Sequence, residues 1–433
     1  MTDLSGNWIS WNGRIKHSYR QLYQPRNEAE LAAIVAGSPS IRVVGTGRSS
    51  ADICAGTTDL IDFTRYSTEI RIDLETMTVT ASPGVMLADL IQALARQGFC
   101  LATLPDIDCI SLGGAIATGT HGTGQAGLSL SDYLCAARLV LPDGTIRSLD
   151  QSSRDLPLDA VRVSLGVLGV FSELTLRIEP LFQLAVTERP CRDQEWLAAW
   201  PDLLDRHDFL RLLWLPHTGW ATLITGDKFS GQAPFQPKAA PQFHEHRRAV
   251  SSLLYAGCAR LPGLTPLANK LLKSLFFSAT VRKTGSLYDA TVTKSRGSTL
   301  ELAEWTIPFS RFSACFTALR GAMARGDAYG HIPMDIRFIR KSSGWLANSH
   351  EADTVTVGCV SRTPRQADRH RIFAVIEAIF LEHGGRPHWA KRFTADATSL
   401  DRLYPRLPEF RNLRRGIDPH GKFLNAWLAS RFA

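Results

Sequence analysis

Four short stretches of this chain combine residue types that can do chemistry. The first is Val44-Gly45-Thr46-Gly47-Arg48-Ser49, which ends a β-branched run beginning at Ile41. A strand that turns here leaves bare backbone N–H groups, and such a nest suits a phosphate. It is not a GxGxxG fingerprint: Ser50 stands where the third glycine belongs, and no apolar-periodic helix follows. The second stretch runs from Ile110 to Gly124. Gly113, Gly114, Gly119, Gly122 and Gly124 fall within twelve positions, among Ser111, Ala117, Thr118 and His121. Small residues in series let something flat lie against the backbone. With short hydroxyl donors, they suit a pyrophosphate joined to a flat ring system. No Lys-Ser/Thr pair follows the glycines, so a P-loop is excluded.

The other two stretches lie in the C-terminal half. Asp335-Ile-Arg337 sets an acid and a base two residues apart. On a strand both point to one face. Arg386-Pro-His388-Trp-Ala-Lys391 gathers two cations, an imidazole and an aromatic. If this segment is extended, Trp389 and Lys391 share one face and His388 takes the other. Each stretch also has a plainer reading: a tight turn, a packing corner, a surface ion pair, or a Pro–aromatic corner. His121 reads as a contact to a bound group or as a buried, hydrogen-bonded side chain, and no metal is expected.

Composition narrows the class. The chain has 433 residues, 44% apolar and 21% charged, which is ordinary for a globular protein. A net charge of +8 favours anionic ligands weakly, and it reads as spread along the chain, unlike the patch of a nucleic-acid-binding domain. Eight cysteines form no CxxC pair, so zinc and thioredoxin-type sites lack their spacing. They read as small core residues. No signal peptide and no run of 18 apolar residues is visible, so a cytoplasmic enzyme is expected.

Elements that would position these residues follow from periodicity. Strands are expected at Ile41–Val44, Glu69–Asp73, Thr78–Ala81 and Gly169–Ile178, a helix over Val85–Arg96, and a hairpin around Pro142-Asp-Gly144. Asp193 to Leu213 reads as helical. Residues 229–285 read as an irregular insert, punctuated by Pro234, Pro237, Pro241, Pro262 and Pro266, with short amphipathic helices near 250–255 and 267–277. The fold class is α+β, with one domain over 7–182 and a second over 183–433.

The glycine segments together resemble the FAD-binding domain of the vanillyl-alcohol oxidase superfamily, also called PCMH-type. Ala117-Thr-Gly-Thr-His-Gly-Thr-Gly124, Arg386–Lys391 and the ending Arg415 to Leu428 resemble its sugar, alditol and aldonolactone oxidases. The resemblance implies a two-subdomain FAD-binding domain followed by an α+β substrate (cap) domain whose tail returns to the flavin. It places the two glycine segments, Pro105, His121, Gly169, Val170 and Asn425 at the cofactor. It assigns Lys391, Asp335, Arg337 and His388 to catalysis. Lys391 would lie near flavin N1/O2, with Lys391 and Asp335 competing as base.

Arg48 stands where alditol oxidases carry the histidine that bonds to the flavin, and Cys109 is out of register for a second link. The resemblance therefore implies non-covalent FAD. Gly47-Arg48-Ser49 and Leu267–Lys270 are instead similar to decaprenylphosphoryl-ribose oxidase. The expected reaction is hydride transfer from a CH–OH carbon of a sugar, alditol, aldonolactone or glycoside to flavin N5. Oxygen or another acceptor would reoxidise the flavin; in this family Pro near position 105 accompanies oxygen use. The alternatives are a dehydrogenase of larger or lipid-linked sugars, with 229–285 as a lid, and a peripheral membrane-binding protein with a structural flavin.

Overall fold

The computed structural model describes residues 6–56, 59–229, 245–291, 300–361 and 366–433. Pro234, Pro237 and Pro241, which marked the expected insert, lie outside them.

The first lobe is built on two main sheets. A parallel three-stranded sheet has the order β1 (Gln21–Tyr23), β3 (Asp59–Asp62), β2 (Ile41–Val44). Helix α1 (Glu28–Gly37), capped by the Asn27 side chain, packs Leu31 and Val35 into a small core with Ile41 and Ile61. An antiparallel five-stranded sheet follows, with strands β4 (Ile70–Asp73), β5 (Thr78–Ala81), β6 (Leu134–Val140), β7 (Ile146–Asp150) and β8 (Val170–Arg177). Their order is β7-β6-β8-β5-β4. The expected hairpin is β6–β7, closed at Gly144. Helix α2 (Leu87–Arg96) buries Leu87, Leu90, Ile91 and Leu94 at helical spacing, and Gly98 ends it at φ +81.

The second lobe is an eight-stranded antiparallel sheet. Its strands are β9 (Gln183–Arg192), β10 (Phe209–Leu215), β11 (Trp220–Phe229), β12 (Val281–Ser286), β13 (Glu301–Pro308), β14 (Met334–Ile339), β15 (Thr354–Ser361) and β16 (Arg386–Pro387). They lie in the order β12-β9-β11-β10-β14-β15-β13-β16. Two expectations change here. The helix from Asp193 stops at Arg206, and Phe209–Leu215 is a strand. That strand lies inside the sheet and is largely buried on both faces, so its sequence does not alternate. Nor is 229–285 irregular where described: it forms helices α3 (Glu245–Arg260) and α4 (Thr265–Phe276), and then the edge strand β12.

Three side chains tie the lobes and the C-terminal tail together. The buried Arg42 guanidinium donates to the carbonyls of Ile53, Leu165, Gly166 and Phe423. Asn425 Nδ2 donates to those of Asp52, Ile53 and Ala55 at 2.7–3.1 Å. Asn12 Nδ2 reaches the Leu300 carbonyl at 3.0 Å. All eight cysteines are free thiols, four of them buried and four half-buried. Among the described residues, no helix is long and apolar enough to cross a membrane.

Candidate active site

One cavity of about 620 Å³ runs between the lobes. Its wall on the first lobe is built from both glycine segments. Val44, Gly45, Thr46, Gly47, Arg48 and Ser49 line it where β2 gives way to a loop, and Ser111, Gly113, Gly114, Ala117, Thr118 and His121 line it from the second segment. Pro105, Gly169 and Val170 also face it. Gly119, Gly122 and Asn425 do not. Gly119 ends a short helix at φ +70. At Gly122 a Cβ would lie 2.3 Å from Thr103 Oγ1, so there the glycine serves packing. Asn425 acts from behind, holding the carbonyls that follow the first glycine loop. Gly113 has a packing reason too, since a Cβ would lie 2.6 Å from Pro83.

The residues present fit FAD. The backbone N–H groups of Thr46, Gly47, Arg48 and Ser49 have no acceptor among the described residues, and they border the cavity. Unpaired donors beside a guanidinium form a seat for a diphosphate. Val85, Met86, Ile107, Ile110 and Phe171 supply apolar walls for a flat ring. The Arg48 guanidinium lies 4.9 Å from the centre of the Trp11 ring.

The wall on the second lobe holds Glu304, Arg337, His388, Ala390 and Lys391. A row of sheet pairings sets its spacing: Leu213 pairs with Asp335, Asp335 with Gly358, and Gly358 with Glu304. Gly358 presents no side chain between the two acids. Arg337 Nη2 reaches Glu304 Oε2 at 3.4 Å, and Arg337 Nε lies 3.2 Å from Asp335 Oδ2. Asp335 and Arg337 thus share a face. Asp335 does not line the cavity; Arg211 grips it with two hydrogen bonds of 2.8 Å.

The segment 386–391 is extended only at Arg386 and Pro387, which pair with Thr306 and Trp305. It then turns, and Lys391 N–H donates to the His388 carbonyl at 2.9 Å. The turn overturns the expected alternation. His388 and Lys391 both face the cavity, while Trp389 is fully buried and donates to the Leu346 carbonyl. Ser50 N–H and Ser49 Oγ both donate to the Ala390 carbonyl, which brings the first glycine loop against this turn.

Glu304 is the ionisable cavity residue that the motifs missed. It is buried on β13, with Oε1 against His121 Nε2 and Oε2 toward Arg337. Burial alone would raise its carboxyl, but the charges of His121 and Arg337 outweigh that and hold it well below the usual range. His388 goes the other way: burial, with the nearby cations, pushes its imidazole down to about 3 despite Glu304. Its Nδ1 accepts from Ala390 N–H at 3.1 Å, which assigns the proton to Nε2. His121, Glu304 and His388 lie close enough to hold a metal ion together. Glu304, however, already has a cation or donor at each oxygen. The signal for Glu304 was present in the sequence: a lone acid in the apolar run Leu302-Ala-Glu-Trp-Thr-Ile307 must find a buried partner.

Two family models match successive parts of the chain. Residues 20–150 match an FAD binding domain model, and residues 174–431 match the family model for D-arabinono-1,4-lactone oxidase. L-gulonolactone oxidase of Mus musculus is 27% identical, over 98% of this chain and 97% of that protein. L-gulono-1,4-lactone dehydrogenase of Mycobacterium tuberculosis is 29% identical over 98% of each. Alditol oxidase of a Streptomyces species is 27% identical over 97% of each. Among solved structures, cholesterol oxidase of Brevibacterium sterolicum shares the fold, with a TM-score of 0.78 at 14% identity over 99% of this chain and 97% of that one. The lactone oxidase model spans well over half of the sequence and contains Glu304, Arg337, His388 and Lys391. The chain belongs to the D-arabinono-1,4-lactone oxidase family, and it is an FAD-dependent oxidoreductase.

Proposed function

We propose that the protein oxidises a CH–OH carbon of an aldonolactone or alditol, using non-covalently held FAD and molecular oxygen. In this reading residues 7–182 hold the cofactor and residues 183–433 supply the substrate side. What carries it is the convergence of Arg337, His388 and Lys391 on the cavity whose opposite wall is the two glycine segments. When bound, FAD supplies the hydride acceptor for the carbinol carbon.

The chain's own residues do the rest. The N–H groups of Thr46 to Ser49 and the Arg48 cation hold the diphosphate. Arg337 offsets the negative charge that builds as the substrate hydroxyl loses its proton, and Lys391 adds its own positive charge once it has taken that proton. Both Glu304 oxygens are engaged with His121 and Arg337, and Asp335 is gripped by Arg211. His388 carries its proton on Nε2 and serves as a donor. Lys391, which faces the cavity, receives the carbinol proton, and Asp335, which does not, is a positioning residue for Arg337. Pro105, at the cavity wall, favours oxygen as acceptor. The described part of 229–285 contributes nothing to that wall, so a small substrate needs no cover from it.

The test is anaerobic mixing of the holoenzyme with L-gulono-1,4-lactone, D-arabinono-1,4-lactone and an alditol series, followed by air. Bleaching of the flavin by a lactone or alditol and rapid recovery in air is the expected result. No bleaching with any of them overturns the substrate class. Bleaching that persists in air overturns the choice of oxygen.

A further inference from the structure

The helix pair α3–α4 stands apart from the cavity and carries an unusual surface. Leu264, Leu267, Leu271 and Leu275 recur at helical spacing, and all are exposed, Leu267 to 69%. Leu253 and Leu261 extend the patch at 76% and 62% exposure. Soluble proteins seldom gather so many open leucines, and such patches mark contact surfaces.

The orientation of this face is fixed by packing. The fully buried Asn269 donates to the carbonyls of Pro216 and Gly330 at 2.9 and 2.8 Å. Ala268 and Leu272 pack inward beside it, and Tyr255 meets the His331 ring edge-on. With the inner side of α4 anchored, its leucine stripe is held outward.

The segment of sequence that carries the patch is one-sided in charge. Between Glu245 and Asp289 there are seven Lys or Arg residues and no Asp or Glu. The chain total is only +8, so the positive charge is concentrated here and not evenly spread. Arg260 and Lys270 are exposed on the same helix pair as the leucines, and Arg282 is exposed on β12, where Lys283 pairs with Glu188.

We propose that α3–α4 docks the protein onto an anionic lipid surface. The leucines enter the headgroup boundary and the cations pair with lipid phosphates, as interfacial amphipathic helices do. An apolar protein partner would match the leucines but leave the exposed Arg260 and Lys270 without a counterpart. An anionic bilayer answers both.

The experiment is co-sedimentation of the holoenzyme with vesicles of phosphatidylcholine alone, or with about 30% phosphatidylglycerol, at low and high salt. Binding is expected to the anionic vesicles only and to fall by about tenfold or more at high salt, as screening weakens the cationic attraction. Replacing Leu267→Ser with Leu271→Ser, or Lys270→Glu alone, should lower it by a further large factor. Both variants should keep the yellow colour and the wild-type rate of flavin reduction, which shows that they fold. Absence of binding to anionic vesicles at low salt overturns the proposal. So does binding that both variants retain in full. A dimer that the leucine variant converts to monomer also overturns it, because the patch then belongs to a second copy of the chain.

Discussion

His121 Nε2 meets Glu304 Oε1 inside the protein, although 183 residues separate them in sequence. The contact joins the second glycine segment to β13, one wall of the cavity to the other. Arg337 holds the remaining Glu304 oxygen, so this carboxylate is the common counter-charge of two groups that line the cavity. Removing it leaves buried positive charge without compensation. Glu304→Gln should cost about 3 kcal/mol in urea unfolding at pH 7, the scale for breaking a buried ion pair. The sign with pH follows from its lowered folded value. The stabilisation is complete above the unfolded value of 4.5 and is lost as pH falls through the lower folded value. The difference between wild type and variant should therefore narrow in acid, and a constant difference would locate the loss elsewhere.

His388 makes a second pH prediction. Its folded pKa is about 3, against an ordinary value of 6.5. The unfolded chain binds this proton below 6.5 while the folded one does not, so acidification through that window destabilises the protein. His388→Gln should flatten the fall in stability between pH 6.5 and pH 4, measured by unfolding at each pH. An unchanged slope would show that the imidazole is not held neutral.

How much of this was legible in the sequence depends on how local each signal is. The glycine segments were legible because backbone donors beside a phosphate demand small residues in series. The β6–β7 hairpin and α2 were legible for the same reason: turn residues and periodicity sit within a few positions. The strand Phe209–Leu215 was not, because burial on both faces removes the alternation that marks a strand. Glu304 was not, because its partners lie on other elements. Nor was the turn at His388–Lys391, which Tyr404 fixes by donating to the Pro387 carbonyl from 17 residues away.

The cofactor should be released by denaturation. Arg48, at the end of the first glycine loop, cannot form a covalent bond to the flavin, and its guanidinium rests over Trp11. Cys109 does not line the cavity. Acid precipitation should leave the yellow colour in the supernatant. Colour in the pellet would mean that some other side chain is attached.

Lys391 should govern the chemical step without governing cofactor retention, since the unpaired N–H groups lie on the other lobe. Lys391→Met should bind FAD normally and slow anaerobic reduction by about 100- to 1,000-fold, within the scale of losing a positioned base. Stopped-flow reduction at the wild-type rate would show that Lys391 does not receive the proton.

Asp335 distinguishes a base from a support. As the base, it would need to reach the substrate hydroxyl, and its loss would slow reduction by a factor of about 100 or more. The structure instead commits both of its oxygens to Arg211 at 2.8 Å and one of them to Arg337 Nε at 3.2 Å. It also keeps the residue off the cavity wall. Its work is then to hold the Arg337 guanidinium in place against Glu304. Asp335→Asn keeps the shape but gives up the charge, so Arg337 should become less well fixed. The expected result is a KM raised by about tenfold, a smaller fall in kcat, and a pH profile of kcat with its limbs where the wild type has them. Glu at this position can restore the charge to Arg337, so Asp335→Glu should recover part of the lost affinity. A kcat that collapses in Asp335→Asn, together with loss of the acid limb, would make Asp335 the base and leave Lys391 as the electrostatic partner.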